Sequence, residues 1–396
     1  MNKEFYWVEQ YYKAYKRQFT REPFFLSDWD IEPERVLFPK TIINEASSRA
    51  LNNSHKYLFS EDLHDLKEQL STTITEDETV KIQPNQIGIF SNPTNALYLT
   101  INALVKKGIK RYLIVTPAYY TVEEALFKLH VDVTYFHLSN QNGYLFEVDK
   151  FTELCCTQNI EAVIITDPVY SSGVPIEGDI IDKVTGFCKN KSIWLVFDNS
   201  LDGLAWDSDR IRHIDKEKLE KISQANKFIV ISSITKSLFL NSSKSALIIS
   251  NPEIIHICDD LACSISGGLS SLQVNILSNI ISPINDEYIA NISSSNTKLI
   301  KQNFSILKSA FIGSDWHLPK TSVGYFTILT HNNKSIGDVD SAKYFEKLLF
   351  EDHIRALPLD YFGHYRLNNF GVRVNLLKNI KEVLPSLIRC IDKHLD

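Results

Sequence analysis

Between about residue 85 and residue 250, short β-branched and aliphatic runs alternate with stretches of helical period, and this alternation limits the possible folds more than any other feature of the chain. The runs cover 111–115, 131–137, 162–166, 193–197, 228–232 and 246–249, with helix-period stretches at 95–105, 122–128 and 179–188. Parallel strands need crossover segments, and the crossovers pack back on the sheet. The pattern therefore predicts an α/β fold, a mostly parallel sheet with helices on both faces. Such sheets keep their ligands at the carboxyl ends of the strands.

The flanks differ. Residues 4–19 place Phe5, Val8, Tyr11, Tyr12, Tyr15 and Phe19 at helical spacing, an aromatic face that needs something to pack on. Residues 21–40 carry three prolines and no period, which reads as an arm or loop. After Gly267-Gly268 a helical pattern runs from Leu272, breaks at Pro283 and resumes at Asp286. Beyond it come strands at 325–330 and 371–376 and helices at 341–351 and the C-terminus, a smaller α+β lobe. Ser293-Ser294-Ser295 reads as a loop or helix end. The expected division is 1–50 as helix and arm belonging to the small domain, 51–282 as the large domain, and 283–396 as the small domain.

Composition narrows the partners. A net charge of -6 without a basic stripe does not suit nucleic acid. No apolar stretch reaches the roughly 20 residues that span a bilayer, and the start lacks a signal-peptide plan, so a cytoplasmic protein without membrane partners is expected. The six cysteines form no CxxC pair and the eleven histidines no HExxH, so neither a disulfide framework nor a metal site is expected.

Two strand ends carry reactive groups. Phe197-Asp198-Asn199 closes one apolar run with a carboxylate, and Ser232-Ser233-Ile234-Thr235-Lys236 follows another with a lysine. Alone, an Asp at a strand end is more often a turn or helix cap, and a Lys after a strand is usually solvated surface. Together and in order, over about residues 57–376, they resemble fold-type I pyridoxal-phosphate (PLP) enzymes, above all class I/II aminotransferases. The resemblance implies PLP as cofactor, Lys236 as the Schiff-base lysine and Ser233 in the serine-rich approach to it. It also implies Asp198 as partner of the pyridine nitrogen, whose protonation makes the ring an electron sink.

Further matches keep that order. Phe90-Ser91-Asn92-Pro93-Thr94-Asn95 resembles the phosphate-cradling turn, with Asn92, Pro93 and Thr94 at the cofactor and Thr94 expected as the helix N-cap. Pro117-Ala118-Tyr119 resembles the motif whose aromatic ring stacks on the cofactor, although pattern alone would make Tyr119 ordinary strand-end packing. Gly371-Val372-Arg373-Val374-Asn375 resembles the strand whose arginine grips the substrate α-carboxylate; the alternative is a surface arginine on an edge strand.

The chain also departs from the family pattern. In Asp167-Pro168-Val169-Tyr170-Ser171-Ser172-Gly173, Tyr170 stands where an asparagine usually bonds the cofactor's 3-oxygen, and its phenol can restore one such bond. Leu201 stands where a tyrosine is usual. Lys244, in Ser243-Lys244-Ser245, replaces the phosphate-binding arginine with a point donor, and Pro93 removes a backbone N–H from the phosphate turn.

The expected function is that of a PLP-dependent enzyme acting on an α-amino acid, with transamination leading. Elimination, replacement or cyclisation at the β- or γ-carbon is the alternative, and a PLP-holding domain without turnover a second one. A homodimer is expected, because the family builds its sites at subunit interfaces and the aromatic N-terminal helix offers a docking face. The arm Ser27-Asp28-Trp29-Asp30 could receive a cationic side chain on Asp28 and Asp30, or be a solvated loop anchored by Trp29.

Overall fold

The computed structural model describes residues 6–75, 81–206, 215–364 and 368–395. Its strands are β1 (Phe24–Phe25), β2 (Ile87–Phe90), β3 (Arg111–Thr116), β4 (Asp132–His137), β5 (Ala162–Thr166), β6 (Trp194–Asn199), β7 (Phe228–Ser232), β8 (Ala246–Ser250), β9 (Trp316–His317), β10 (Phe326–Ser335), β11 (Ile354–Arg355) and β12 (Asn369–Asn375).

Seven strands form the main sheet in the order β2-β8-β7-β6-β5-β3-β4, parallel except for β8, which runs against both of its neighbours. The strands read as unbroken apolar runs because both faces are covered. Alternate residues go to opposite sides. Leu113, Val163, Leu195 and Val230 join a core with the helices Val148–Thr157, Gly178–Lys191 and Lys216–Ser223. Ile114, Ile164, Val196 and Ile231 join a second core with Pro93–Lys106, Tyr120–Lys128 and Pro252–Ile265. The short β2 carries too few residues for its own period, and the sequence reading missed it.

A second sheet, β12-β10-β9, is antiparallel and pairs Ile328 with Arg373. Beside it pack the helices Ser341–Glu351 and Ile380–Cys390 and the long helix Asp286–Ala310. Ser293-Ser294-Ser295 lies inside that long helix rather than at a loop, with Ser293 buried, because the flanking Ile289, Ile292 and Ile300 keep the helical period. Among the described residues no helix is long and apolar enough to cross a membrane.

The N-terminal helix spans Tyr6–Gln18, and Phe5 lies outside the described residues. Its aromatic face is not left open for docking. Trp7 meets Phe345 at 5.3 Å between ring centres, and Tyr15, fully buried, meets Phe350 at 5.8 Å. An intrachain partner, the helix Ser341–Glu351, covers the face. The arm then adds β1 to β11, in parallel.

Candidate active site

Tyr119 follows β3, Tyr170 follows β5, Asp198 lies within the end of β6, and Lys236 follows β7, so four adjacent strand ends deliver one group each. They share a cavity of about 330 Å³ with Pro93, Thr94 and Lys244. Asp198 and Ile231 are register partners, which sets the carboxylate beside the strand that leads into the lysine turn.

Lys236 sits on the four-residue helix Ile234–Ser237. Burial pushes its amine down to about 8; the Asp198 carboxylate pulls the other way, and the positive Lys244 and Arg373 add to the fall. The Ser233 hydroxyl does not reach the cavity. It donates to the Ser245 carbonyl at 2.6 Å, while the Ser245 N–H donates to Thr235 Oγ1 at 2.7 Å. Ser233 and Thr235 thus clamp the lysine turn to the start of β8.

Asp198 is buried, and both hydrogen bonds from Ser200, from its N–H and its hydroxyl, fall on Oδ1. Oδ2 takes neither of them. Beside it Asp167 is held by the Ile176 N–H at 2.8 Å and by Lys218 at 2.6 Å. The Tyr170 ring lies 5.7 Å from that of Tyr119, and burial raises its phenol pKa, opposed by the charge of Arg373.

Helix Pro93–Lys106 begins two residues earlier than a Thr94 cap would allow. Pro93 occupies the first helical position, where its fixed φ and missing N–H do no harm, and Asn92 is the N-cap, its Oδ1 accepting from the Asn95 N–H at 2.9 Å. Pro93 itself was the available signal. Gln273, which nothing in the local sequence marks, ties this turn to the Lys244 loop by donating to the Ser91 carbonyl at 3.1 Å and the Lys244 carbonyl at 2.8 Å.

Arg373 is brought near but not into the cavity. It is 1% exposed, and its Nε and Nη2 donate to the Ser27 carbonyl. Its Nη1 is buried without a partner among the described residues. Phe362, Phe326 and Trp29 surround it, their ring centres 3.8, 4.1 and 4.9 Å from Cζ. Asp28 is not among the cavity-lining residues either: it pairs with buried Arg355, which also reaches Glu9 at 3.5 Å. Asp30 and Trp29 do line the cavity.

These residues suit PLP. Burial normally demands a partner for every polar atom, yet Thr166 Oγ1 and Ser171 Oγ, both of residues on the cavity wall, have none among the described residues. A lysine of lowered pKa, a carboxylate with one oxygen left over, an aromatic ring, and a helix N-terminus beside a second lysine are the donor set that an aldehyde, a pyridinium nitrogen, an aromatic ring and a phosphate require.

The family model for aminotransferase class I and II matches residues 33–384. Aspartate aminotransferase of Bacillus subtilis (strain 168) is 21% identical over 369 residues, 90% of this chain and 88% of that protein. 1-Aminocyclopropane-1-carboxylate synthase 11 of Arabidopsis thaliana is 24% identical over 257 residues, 63% of this chain and only 55% of the plant protein's length. Among solved structures, a double mutant of Thermus thermophilus aspartate aminotransferase superimposes with a TM-score of 0.81 at 12% identity, covering 96% of this chain and 94% of that one. The chain belongs to the aminotransferase class I and II family and is a PLP-dependent enzyme.

Proposed function

We propose that this protein is an aminotransferase of α-amino acids in which Lys236 is the catalytic base. The observation that carries the reading is the shared cavity of Lys236, Asp198, Tyr119, Tyr170, Thr94 and Lys244. When bound, PLP supplies an electron-withdrawing ring that stabilises the charge left on the substrate's α-carbon. Asp198 would hold the proton on the ring nitrogen. Tyr119 would lie against the ring, and Tyr170 would bond the 3-oxygen. Lys244 and the Asn92-Pro93-Thr94 turn receive the phosphate, with Ser233 acting at one remove by fixing the lysine turn. Arg373 takes the α-carboxylate. Lys236, whose lowered pKa of about 8 leaves about a tenth of the amine unprotonated at pH 7 and about half at pH 8, would take the α-proton on Nζ and later release it.

We also read the chain as a large domain over 51–282 and a small domain built from 283–396 with the N-terminal segment, and the protein as a homodimer. With the N-terminal helix packed internally, another face suits the second copy. Tyr57, 83% exposed, stacks on Phe59 near Gly268, and exposed Ile265 lies close by. The Asn95–Ser266 hydrogen bond sets that face beside the start of the helix Pro93–Lys106. A monomeric mass by light scattering would contradict this.

The similarity to the plant synthase, with Tyr170 and Leu201 around the 3-oxygen position, favours a second reading, cyclisation or elimination. Incubating the holoenzyme with single amino acids separates the two. Transamination yields a keto acid and pyridoxamine phosphate. The second reading yields a new product with the cofactor unchanged.

A further inference from the structure

The cavity that contains Lys236 stops short of Arg373, and the wall between them is made of two rings. Trp29 and Phe326 line the cavity on one side and lie against the guanidinium on the other. Arg373 is nevertheless set up to bind. The Ser27 carbonyl takes the Nε/Nη2 edge, which fixes the guanidinium plane and leaves the Nη1/Nη2 edge, with Nη1 buried and unpartnered. Two parallel bonds from that edge fit a carboxylate.

A ligand reaching from the cavity to that edge must move one of the two rings, and the chain holds them unequally. Phe326 is 3% exposed and begins β10, with its backbone in register with Asn375. Trp29 is half-buried, lies outside any strand, and is secured through its carbonyl by Asn241 at 3.2 Å. Its ring centre lies 4.9 Å from Lys236 Nζ and 4.9 Å from Arg373 Cζ, so those groups are no further apart than twice that distance. An amino acid that presents its amine end toward Lys236 and its carboxylate to Arg373 therefore passes along the indole.

We propose that Trp29 is a specificity-determining gate that gives access to Arg373 only to ligands carrying an α-carboxylate. The cation–π contact that the indole makes with Arg373 is exchanged for the charge-assisted pair, and the displaced ring then keeps water from it. A neutral amide in the same place lacks the charge to drive the exchange. The inference rests on Arg373 as the carboxylate-holding residue.

The test uses holoenzyme labelled with 5-fluorotryptophan, in which the chain's five tryptophans each give a fluorine signal and Trp29→Phe identifies the Trp29 line. The probes are 2-aminoisobutyrate, which has no α-proton to lose, and its carboxamide. The gate predicts that the acid shifts the Trp29 line and the amide does not. It also predicts that in Trp29→Ala the preference for acid over amide, read as the ratio of apparent Kd values, falls about tenfold as water enters. An equal response of the line to both probes, or to neither, overturns the gate. So does a Trp29→Ala protein that melts earlier but keeps the preference, which is the behaviour of a packing residue. Arg373→Gln separates the two claims: an unchanged acid preference there overturns the role of Arg373, whereas a preference lost there together with a Trp29 line that stays silent to the acid in the protein with Arg373 intact overturns the gate alone.

Discussion

Ser27 and Arg373, 346 positions apart, hold each other in both directions: the Ser27 hydroxyl donates to the Arg373 carbonyl, and the Arg373 guanidinium donates to the Ser27 carbonyl. The same hydroxyl accepts from the Leu357 N–H at 2.8 Å. Ser27→Ala leaves two buried backbone groups without their partner, a loss of about 1–3 kcal/mol in stability. Denaturant unfolding measures it. Because the guanidinium keeps its bond to the Ser27 carbonyl, KM for an amino acid should rise by less than in Arg373→Gln; equal losses would mean that the hydroxyl alone fixes the arginine.

Gly173 closes the Tyr170 turn with a φ of 67°, and a Cβ there would lie 2.5 Å from the Val323 carbonyl oxygen and 2.7 Å from that of Phe326. The Gly173 carbonyl also accepts from the N–H groups of Ser322 and Val323. Gly173→Ala should destabilise by about 1–3 kcal/mol from backbone strain, with more from the clash, and reduce PLP affinity because the Tyr170 turn shifts. Unchanged stability would contradict so close an approach.

The depressed pKa of Lys236 has a definite sign in stability. Between about 8 and the ordinary lysine value of 10.5 the unfolded chain holds the proton that the folded chain has released, so stability rises with pH through that window. Below it, the buried charge is a full cost to the folded state. Cofactor-free Lys236→Met should thus be more stable than the wild type at pH 7, and the difference should shrink as pH rises from about 8 toward 10.5. A difference independent of pH would refute the shift.

Removing the Asp198 carboxylate should leave the fold and some bound PLP but lower kcat by about 100–1,000-fold, because the ring nitrogen loses the group that keeps it protonated. Near wild-type turnover in Asp198→Ala would be incompatible with that role.

Legibility from sequence followed the range of the interactions. β5 and β7 were readable residue for residue because both faces are buried and every position is apolar or small. The order of Asp198 before Lys236 was readable because one lies at the end of a strand and the other four residues past the end of the next. Sequence places the N-cap at Thr94 although Pro93 carries the signal for Asn92, and it makes Ser293-Ser294-Ser295 a loop or helix end because local propensity hides what tertiary packing decides. The pairing of Asp28 with Arg355, and the Trp29 ring that lies between Arg373 and the cavity, join segments more than 300 residues apart. No local pattern encodes them.

The most direct test of the central claim is to reduce the PLP-loaded protein with borohydride and map the labelled peptide. The account predicts a single pyridoxyl adduct on Lys236, absent in Lys236→Ala. An adduct on Lys244 or on any other lysine, or an equally labelled Lys236→Ala protein, would contradict it.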